Sequence, residues 1–276
     1  MRPDHDSFSS TNNSSELPAE VHLSSTQASR LDLVLTDDVC RRLGIFAIPA
    51  NFRLSVVIPV YNEVSTVLQV IERVRRTNLP LEIIVVDDGS VDGTRDKLAA
   101  IPAADDLRII LHDKNKGKGA ALRTGFALAT GTAIVVQDAD LEYDPEDFRI
   151  LIQPIIEDTA DVVYGTRFGH FDRPVSPMWH ALANRWITRM TNLRTGCHFS
   201  DVETCYKVIR RELLQELVPD LRENRFGIEI ELTIKLAKRR ARFYERPIRY
   251  WRRGFDEGKK IGWRDAVRAF YCMIRY

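Results

Sequence analysis

The chain has 276 residues, 44% of them hydrophobic and 29% charged, with a formal net charge of +1. That length suits one large domain or two small ones, and the composition excludes collagen-like and wholly disordered chains. The four cysteines, Cys40, Cys197, Cys205 and Cys272, form no C-x-x-C pair, so neither a zinc ribbon nor a disulfide framework is indicated and a reducing compartment is the default. The first 30 residues are a Ser/Thr/Asn-rich tract with almost no aliphatic clusters, expected to be disordered. Met1–Asp6 is polar and no apolar run follows, so no signal peptide is expected. Leu35–Ile45 suits a short helix, capped by Thr36 or Asp37 and ended by Gly44. Residues 1–50 are therefore read as a mostly disordered extension, and 51–276 as one domain.

From Leu54 the pattern changes. Short apolar, β-branched runs recur at Ser55–Pro59, Leu81–Val86, Leu107–Leu111, Ala133–Gln137 and Asp161–Tyr164, as strands buried on both faces of a parallel sheet require. Stretches of helical period lie between them: Val64–Val74, Gly119–Ala129 and Phe148–Ile156. The alternation predicts an α/β, doubly wound and mostly parallel sheet, whose ligands bind beyond the carboxyl ends of the strands. The polar motifs fall there: Tyr61-Asn62-Glu63, Asp87-Asp88-Gly89-Ser90, Asp138-Ala139-Asp140-Leu141-Glu142 and Gly165-Thr166-Arg167.

Each motif has a chemical and a structural reading. If the fourth strand continues through them, Asp138, Asp140 and Glu142 share one face. Three such carboxylates need a cation, and oxygen ligands select Mg²⁺ or Mn²⁺. Alternatively the acids cap the turn before Pro145. Asp87 and Asp88 either accept hydrogen bonds from a base or ribose or build a turn ahead of a helix near Thr94. Lys114–Gly119 (KNKGKG) offers amides and positive charge to an anion at a helix start. It lacks the G-x-x-x-x-G-K-[ST] spacing, and no G-x-G-x-x-G follows the first strand, which argues against a dinucleotide cofactor. His112, His170, His180 and His198 show no ligand spacing.

The longest stretch without Asp, Glu, Lys or Arg, Thr124–Gln137, is shorter than the ~18–20 apolar residues that span a bilayer. Between Lys238 and Tyr276 stand 13 Lys/Arg against 4 Asp/Glu, an excess of nine that leaves the rest of the chain at −8. A basic end suggests an anionic partner: phosphate, a membrane surface or nucleic acid. KRRAR at Lys238–Arg242 is read as the solvated end of a helix beginning near Glu229, not as a nucleic-acid patch. Two basic amphipathic stripes suit an anionic lipid surface. One is Trp179, Leu182, Trp186, Met190 and Leu193 beside Arg185, Arg189 and Arg194. The other is Trp263, Ala266, Val267, Phe270 and Ile274 beside Arg264, Arg268 and Arg275. The same periodicity also suits packing on the sheet.

Val56–Glu63 (VVIPVYNE), Val85–Ser90 (VVDDGS), Asn115–Phe126 (NKGKGAALRTGF) and Gln137–Glu142 (QDADLE) together resemble the ordered motifs of family 2 glycosyltransferases, inverting, metal-dependent enzymes on the Rossmann-like GT-A fold. Asp201–Lys207 (DVETCYK), Arg225–Leu236 (RFGIEIELTIKL) and Glu257–Asp265 (EGKKIGWRD) resemble the branch that transfers a sugar to dolichyl or undecaprenyl phosphate. The resemblance covers Leu54 to Tyr276. It implies that Pro59, Tyr61, Glu63, Val86, Asp87 and Asp88 frame the nucleotide. It implies that Asp138, Ala139 and Asp140 form the metal motif, with Glu142, where many relatives carry Gln, as a further ligand. Arg167 would contact the donor, and Arg253 and Lys259 the phosphates. The segment around Arg253 departs from the usual pattern at Gly254.

The expected reaction moves a hexose from a UDP- or GDP-sugar, with a leaning toward UDP-glucose over GDP-mannose, to a polyprenyl phosphate with inversion, using Mg²⁺ or Mn²⁺, at the cytoplasmic face of a membrane and without nucleic acid. A phosphate acceptor with a second pKa near ~6 is already an anionic nucleophile. A saccharide hydroxyl, the alternative acceptor, needs Asp201 or Glu203 as base; otherwise these acids hold Lys207 or a nearby Arg. A non-catalytic nucleotide-sugar module is the third reading. Oligomeric state is not legible.

Overall fold

A computed structural model describes residues 36, 39–40, 44–169, 178–251, 271–272 and 275–276, with the side chains of 178–181 left out. The chain divides into two units, Met1–Ile45 and Phe46–Tyr276. In the first, Val39 and Cys40 are helical, the Thr36 hydroxyl accepts from the Val39 amide at 3.4 Å, and Gly44 turns left-handed at φ 71°.

In the second unit seven strands form one sheet. They are β1 (Leu54–Val60), β2 (Leu81–Asp87), β3 (Leu107–Leu111), β4 (Ala133–Val136), β5 (Val162–Thr166), β6 (Lys207–Arg210) and β7 (Phe243–Pro247), in the order β3-β2-β1-β4-β6-β5-β7. The helices are α1 (Val67–Arg76), α2 (Thr94–Ala99), α3 (Lys118–Leu128), α4 (Phe148–Ile156), α5 (Met178–Thr195), α6 (Arg211–Leu217) and α7 (Ile228–Lys238). β1 pairs parallel with β2 and β4, β2 with β3, and β5 with β7. β6 runs antiparallel between β4 and β5. The sheet is mixed and mostly parallel.

The central strands are apolar along their length because both faces are covered: β4 is buried throughout and β1 nearly so. The edge strands β3 and β7 are only partly buried. Helix α3 lies close against β1, which requires a glycine at 125: a Cβ there would stand 2.3 Å from Val57 Cγ1. Strands β1 to β5 and helices α1, α3 and α4 match the apolar runs and helical periods of the sequence. The antiparallel β6 was not foreseen, because four residues with Lys207 at one end and Arg210 at the other carry no strand signature.

The chain leaves β1 for β2 on one side and returns, after β3, to β4 on the other. The crevice between the carboxyl ends of β1 and β4 is thus a topological switch point, where open α/β sheets bind ligands. Among the described residues no helix is long and apolar enough to cross a membrane.

Candidate active site

The loops after β1 and β2 are braced to one another. Asn62 adopts φ 52°; its amide donates to Ser90 Oγ at 2.9 Å and its Oδ1 accepts from the Val91 amide at 2.9 Å. The Glu63 and Val64 amides donate to Thr94 Oγ1 and Asp92 Oδ2. Tyr61 and Glu63 therefore stand on a fixed loop at the end of β1, with Pro59 and Val86 in the adjoining strands.

Asp87 and Asp88 divide the work. Asp87 is fully buried. Its Oδ2 accepts from the Gly89 and Ser90 amides and from Arg95 Nε at 2.7 Å, while its buried Oδ1 has no hydrogen-bond partner. Asp88 turns to the next loop and accepts from the Lys116 and Gly117 amides and from His112 Nδ1 at 2.8 Å. Both of its oxygens are engaged, so it fixes the Lys114–Gly117 loop.

The acidic turn departs from the expected geometry. β4 ends at Val136, and Leu141 takes φ 61°, so Asp138, Asp140 and Glu142 lie on a turn and not along one face of a strand. Asp138 Oδ1 pairs with Lys118 Nζ at 2.7 Å. Asp140 Oδ1 accepts from the Glu142 amide at 3.2 Å. Glu142 Oε2 accepts from Tyr250 Oη at 2.7 Å, and its carbonyl accepts from the Trp251 amide. Among the described residues no group of three or more His, Cys, Asp or Glu side chains converges as a metal site. Glu142 is tied to Tyr250 and Asp138 to a lysine. The donor chemistry fits a hard divalent cation: Asp138 and Asp140 are carboxylates separated by one residue, beside the switch point. A cleft of about 480 Å³ opens beside the turn, lined by Leu141, Asp144, Glu146, Arg73, Arg76 and Trp251.

Behind the turn runs a buried chain of alternating charge that sequence reasoning missed. Lys207, fully buried, donates to Glu229 Oε2 at 2.5 Å. Glu229 Oε1 lies 3.2 Å from Lys118 Nζ, in ion contact but off-line for a hydrogen bond. Burial works against the Lys118 ammonium, but Asp138 and Glu229 outweigh it and hold its pKa well above the ordinary lysine value. The available signal was Glu229 and Glu231 interrupting the apolar run of α7, IEIEL.

Arg167 places Nε and Nη2 on the two oxygens of Asp201, each at 2.7 Å, with its guanidinium over the Tyr250 ring. Asp201 therefore holds an arginine, one of the two roles read from the sequence. Burial raises its pKa, but Arg167 overcomes this and keeps it below the ordinary aspartate value. Glu203 differs: burial lifts its pKa to about 7, against the pull of Lys207. His112 bridges Asp88 and Thr124. Arg253, Lys259 and the helical stripe from Trp263 to Ile274 lie outside the described residues.

Helix α5 shows two faces. Ile187, Thr188 and Thr191 are buried, and the helix packs against α7. Leu182, Trp186 and Leu193 are 57%, 48% and 76% exposed, on the side that also carries the exposed Arg185 and Arg189.

The strand order and the acidic turn at the switch point define a GT-A glycosyltransferase. The family model for glycosyl transferase family 2 matches residues 55–218, more than half of the chain, and the chain belongs to that family. It is 29% identical over 216 residues to an undecaprenyl-phosphate mannosyltransferase of Micrococcus luteus, covering 76% of this chain and 88% of the relative. It is 31% identical over 173 residues to an undecaprenyl-phosphate 4-deoxy-4-formamido-L-arabinose transferase of Serratia proteamaculans, covering 60% of this chain and 51% of that protein. The chain thus spans about half the length of the latter relative. Among solved structures, glucosyl-3-phosphoglycerate synthase of Mycobacterium tuberculosis, in complex with Mn²⁺, UDP and glucosyl-3-phosphoglycerate, superposes with a TM-score of 0.59 at 23% identity, covering 75% of each chain. Mannosyl-3-phosphoglycerate synthase of Rubrobacter xylanophilus gives 0.61 at 20%, covering 86% of this chain and 74% of that one. At those identities the likeness is one of fold.

Proposed function

We propose that the protein transfers a hexose from a UDP- or GDP-sugar to a polyprenyl phosphate, with inversion, in a reaction that needs Mg²⁺ or Mn²⁺. The observation that carries the reading is the acidic turn at the switch point of a family 2 domain whose relatives are named as undecaprenyl-phosphate sugar transferases. Asp138 and Asp140 would hold the cation, which supplies charge neutralisation for the departing diphosphate. Asp87 Oδ1, buried and unpaired, would accept the ring N–H of the base. Uracil and guanine both offer such a donor, so this atom does not choose between UDP and GDP. Arg253 and Lys259 would meet the phosphates. The exposed apolar and basic face of α5 would rest on the lipid surface that presents the acceptor, at the cytoplasmic side.

The test is sugar-nucleotide turnover with short polyprenyl phosphate, run with UDP-glucose, UDP-GlcNAc and GDP-mannose, in Mg²⁺, Mn²⁺ or EDTA. A metal-dependent lipid-linked sugar is expected. Asp138→Asn and Asp140→Asn should each lower turnover by ~100-fold or more, the scale for removing a stabiliser of developing charge. Turnover unchanged by EDTA and by both variants overturns the metal-dependent reading.

A saccharide hydroxyl as acceptor is the second reading. The feature in its favour is Glu203, whose carboxyl is pushed up to about 7 by burial, within the range of a working base. It predicts that Glu203→Gln abolishes transfer. A phosphate acceptor predicts that the variant transfers to lipid phosphate at close to the parent rate.

A further inference from the structure

The acidic turn already carries a cation of its own. Lys118 is the first residue of α3, and the loop before it is clamped on two sides. Asp88 binds the Lys116 and Gly117 amides. On the other side the backbone of Glu223 and Asn224 comes so near that a Cβ at Gly117 or Gly119 would fall 2.3 Å from a carbonyl oxygen. The base of the lysine is therefore fixed, and its Nζ lies between two carboxylates, 2.7 Å from Asp138 Oδ1 and 3.2 Å from Glu229 Oε1. The nearer oxygen belongs to the first aspartate of the D-x-D turn. The farther one belongs to a side chain that Lys207 pins in place at 2.5 Å, and it is buried without an aligned hydrogen bond.

We propose that Lys118 is the resident counter-cation of the acidic turn, occupying Asp138 in the metal-free protein and moving toward Glu229 when a divalent cation takes that carboxylate. The inference rests on the metal-dependent reading given above. Three observations carry it. An ammonium and a metal ion compete for the same carboxylate lone pairs, and Lys118 already holds one of Asp138's oxygens. Two positive charges cannot share so small a site without strong repulsion, so loading requires the lysine to withdraw. Glu229 Oε1 offers it a second anion within reach, with a lone pair waiting for a donor. Metal affinity is then set by the balance between two acceptors for one ammonium. Lys118 is a positioning residue in this scheme: it keeps the aspartate neutralised and ordered until metal arrives.

The experiment titrates Mn²⁺ alone into the protein and reads free Mn²⁺ by electron paramagnetic resonance. The variants are Lys118→Met, Lys118→Gln, Glu229→Gln, Asp138→Asn and, as a control for general surface charge, Lys116→Gln, each checked for folding by circular dichroism. Lys118→Met should bind Mn²⁺ about tenfold more tightly or better, the worth of one charge-assisted hydrogen bond. Lys118→Gln, which keeps a polar side chain, should move the same way. Glu229→Gln should weaken binding, because the ammonium then has Asp138 alone. Lys116→Gln should change affinity by less than about twofold, as screened surface charges do, and Asp138→Asn should remove binding.

A lysine that serves only to stabilise the fold would shift the melting temperature and leave these affinities alone. Mn²⁺ binding that needs Asp138 but is unchanged or weaker in both Lys118 variants overturns the proposal and leaves metal dependence standing. No Mn²⁺ binding in the parent or in any variant overturns the proposal, and metal dependence is decided separately by the EDTA arm of the turnover assay.

Discussion

Asp201 and Glu203 stand two residues apart on one segment, yet their carboxyls are displaced in opposite directions. Asp201 is paired at both oxygens by Arg167 and held below the ordinary aspartate value, against burial. Whatever stability it contributes is present above that range and lost only in acid. Glu203 is raised from 4.5 to about 7 by burial. Its sign is the reverse: between those two pH values the unfolded chain has released the proton and the folded chain still holds it, so stability falls as pH rises across that window and levels off above it. Burial also lifts Asp147 and Glu245, so the slope of the parent protein belongs to several groups and the difference made by Glu203→Gln is the informative quantity. Urea denaturation at a series of pH values from 5 to 8 should show a shallower decline for the variant than for the parent. Parallel curves would mean that Glu203 is solvated in solution and not desolvated. The contrast between the two acids was outside the reach of the sequence, where DVETCYK presents both as equivalent candidates. Only the fold shows that one is consumed by Arg167.

At the level of elements, a strand was legible where it is a run of apolar residues, the partly buried edge strand β3 included, and obscure where charged residues break the run, as in β6 and β7. VVIP, IIVV and AIVV read as strands because β1, β2 and β4 carry apolar side chains on both sides. FYERP at the β7 edge shows neither an apolar run nor a clean alternation. β6 hides a buried lysine whose partner, Glu229, is far away in sequence. The site follows the same rule. The acidic turn is a local motif and could be read, whereas the Lys207–Glu229–Lys118–Asp138 chain is built from four separate segments. One element contact can be tested directly. Alanine at 125 would gain roughly 1 kcal/mol of helix propensity over glycine, but its Cβ would enter Val57 at 2.3 Å, and overpacking of that kind costs about 1–3 kcal/mol. The steric term should win, so Gly125→Ala should destabilise the protein in urea. The double variant Gly125→Ala/Val57→Ala should then be less destabilised than the sum of the two single variants, because the residues are in contact. Additive effects would show that α3 moves away from β1 freely.

For the whole domain, charge and apolar surface converge on how the protein would meet a lipid-borne acceptor. The segment from Lys238 to Tyr276 has nine more basic than acidic residues. Helix α5 exposes Leu182, Trp186 and Leu193 beside Arg185 and Arg189. These two contributions respond differently to salt. Electrostatic attraction to anionic lipid is worth about 1 kcal/mol per Lys or Arg near the surface, and it is screened as the Debye length falls from about 8 Å at physiological ionic strength to about 3 Å at 1 M. Insertion of apolar side chains is not. Sedimentation with anionic vesicles should therefore weaken, without vanishing, as salt is raised. Arg185→Gln/Arg189→Gln should lower vesicle affinity by roughly 30-fold at low salt, the equivalent of about 2 kcal/mol, and should flatten the salt dependence. Leu182→Glu/Trp186→Glu/Leu193→Glu should abolish binding while leaving the circular dichroism spectrum unchanged, since all three side chains are exposed in the folded domain. Gel filtration of the same proteins supplies the opposing outcome. If the triple variant converts a dimer to a monomer and vesicle binding is untouched, then α5 is a contact between two copies of the chain, and the lipid surface must be met by another part of the domain.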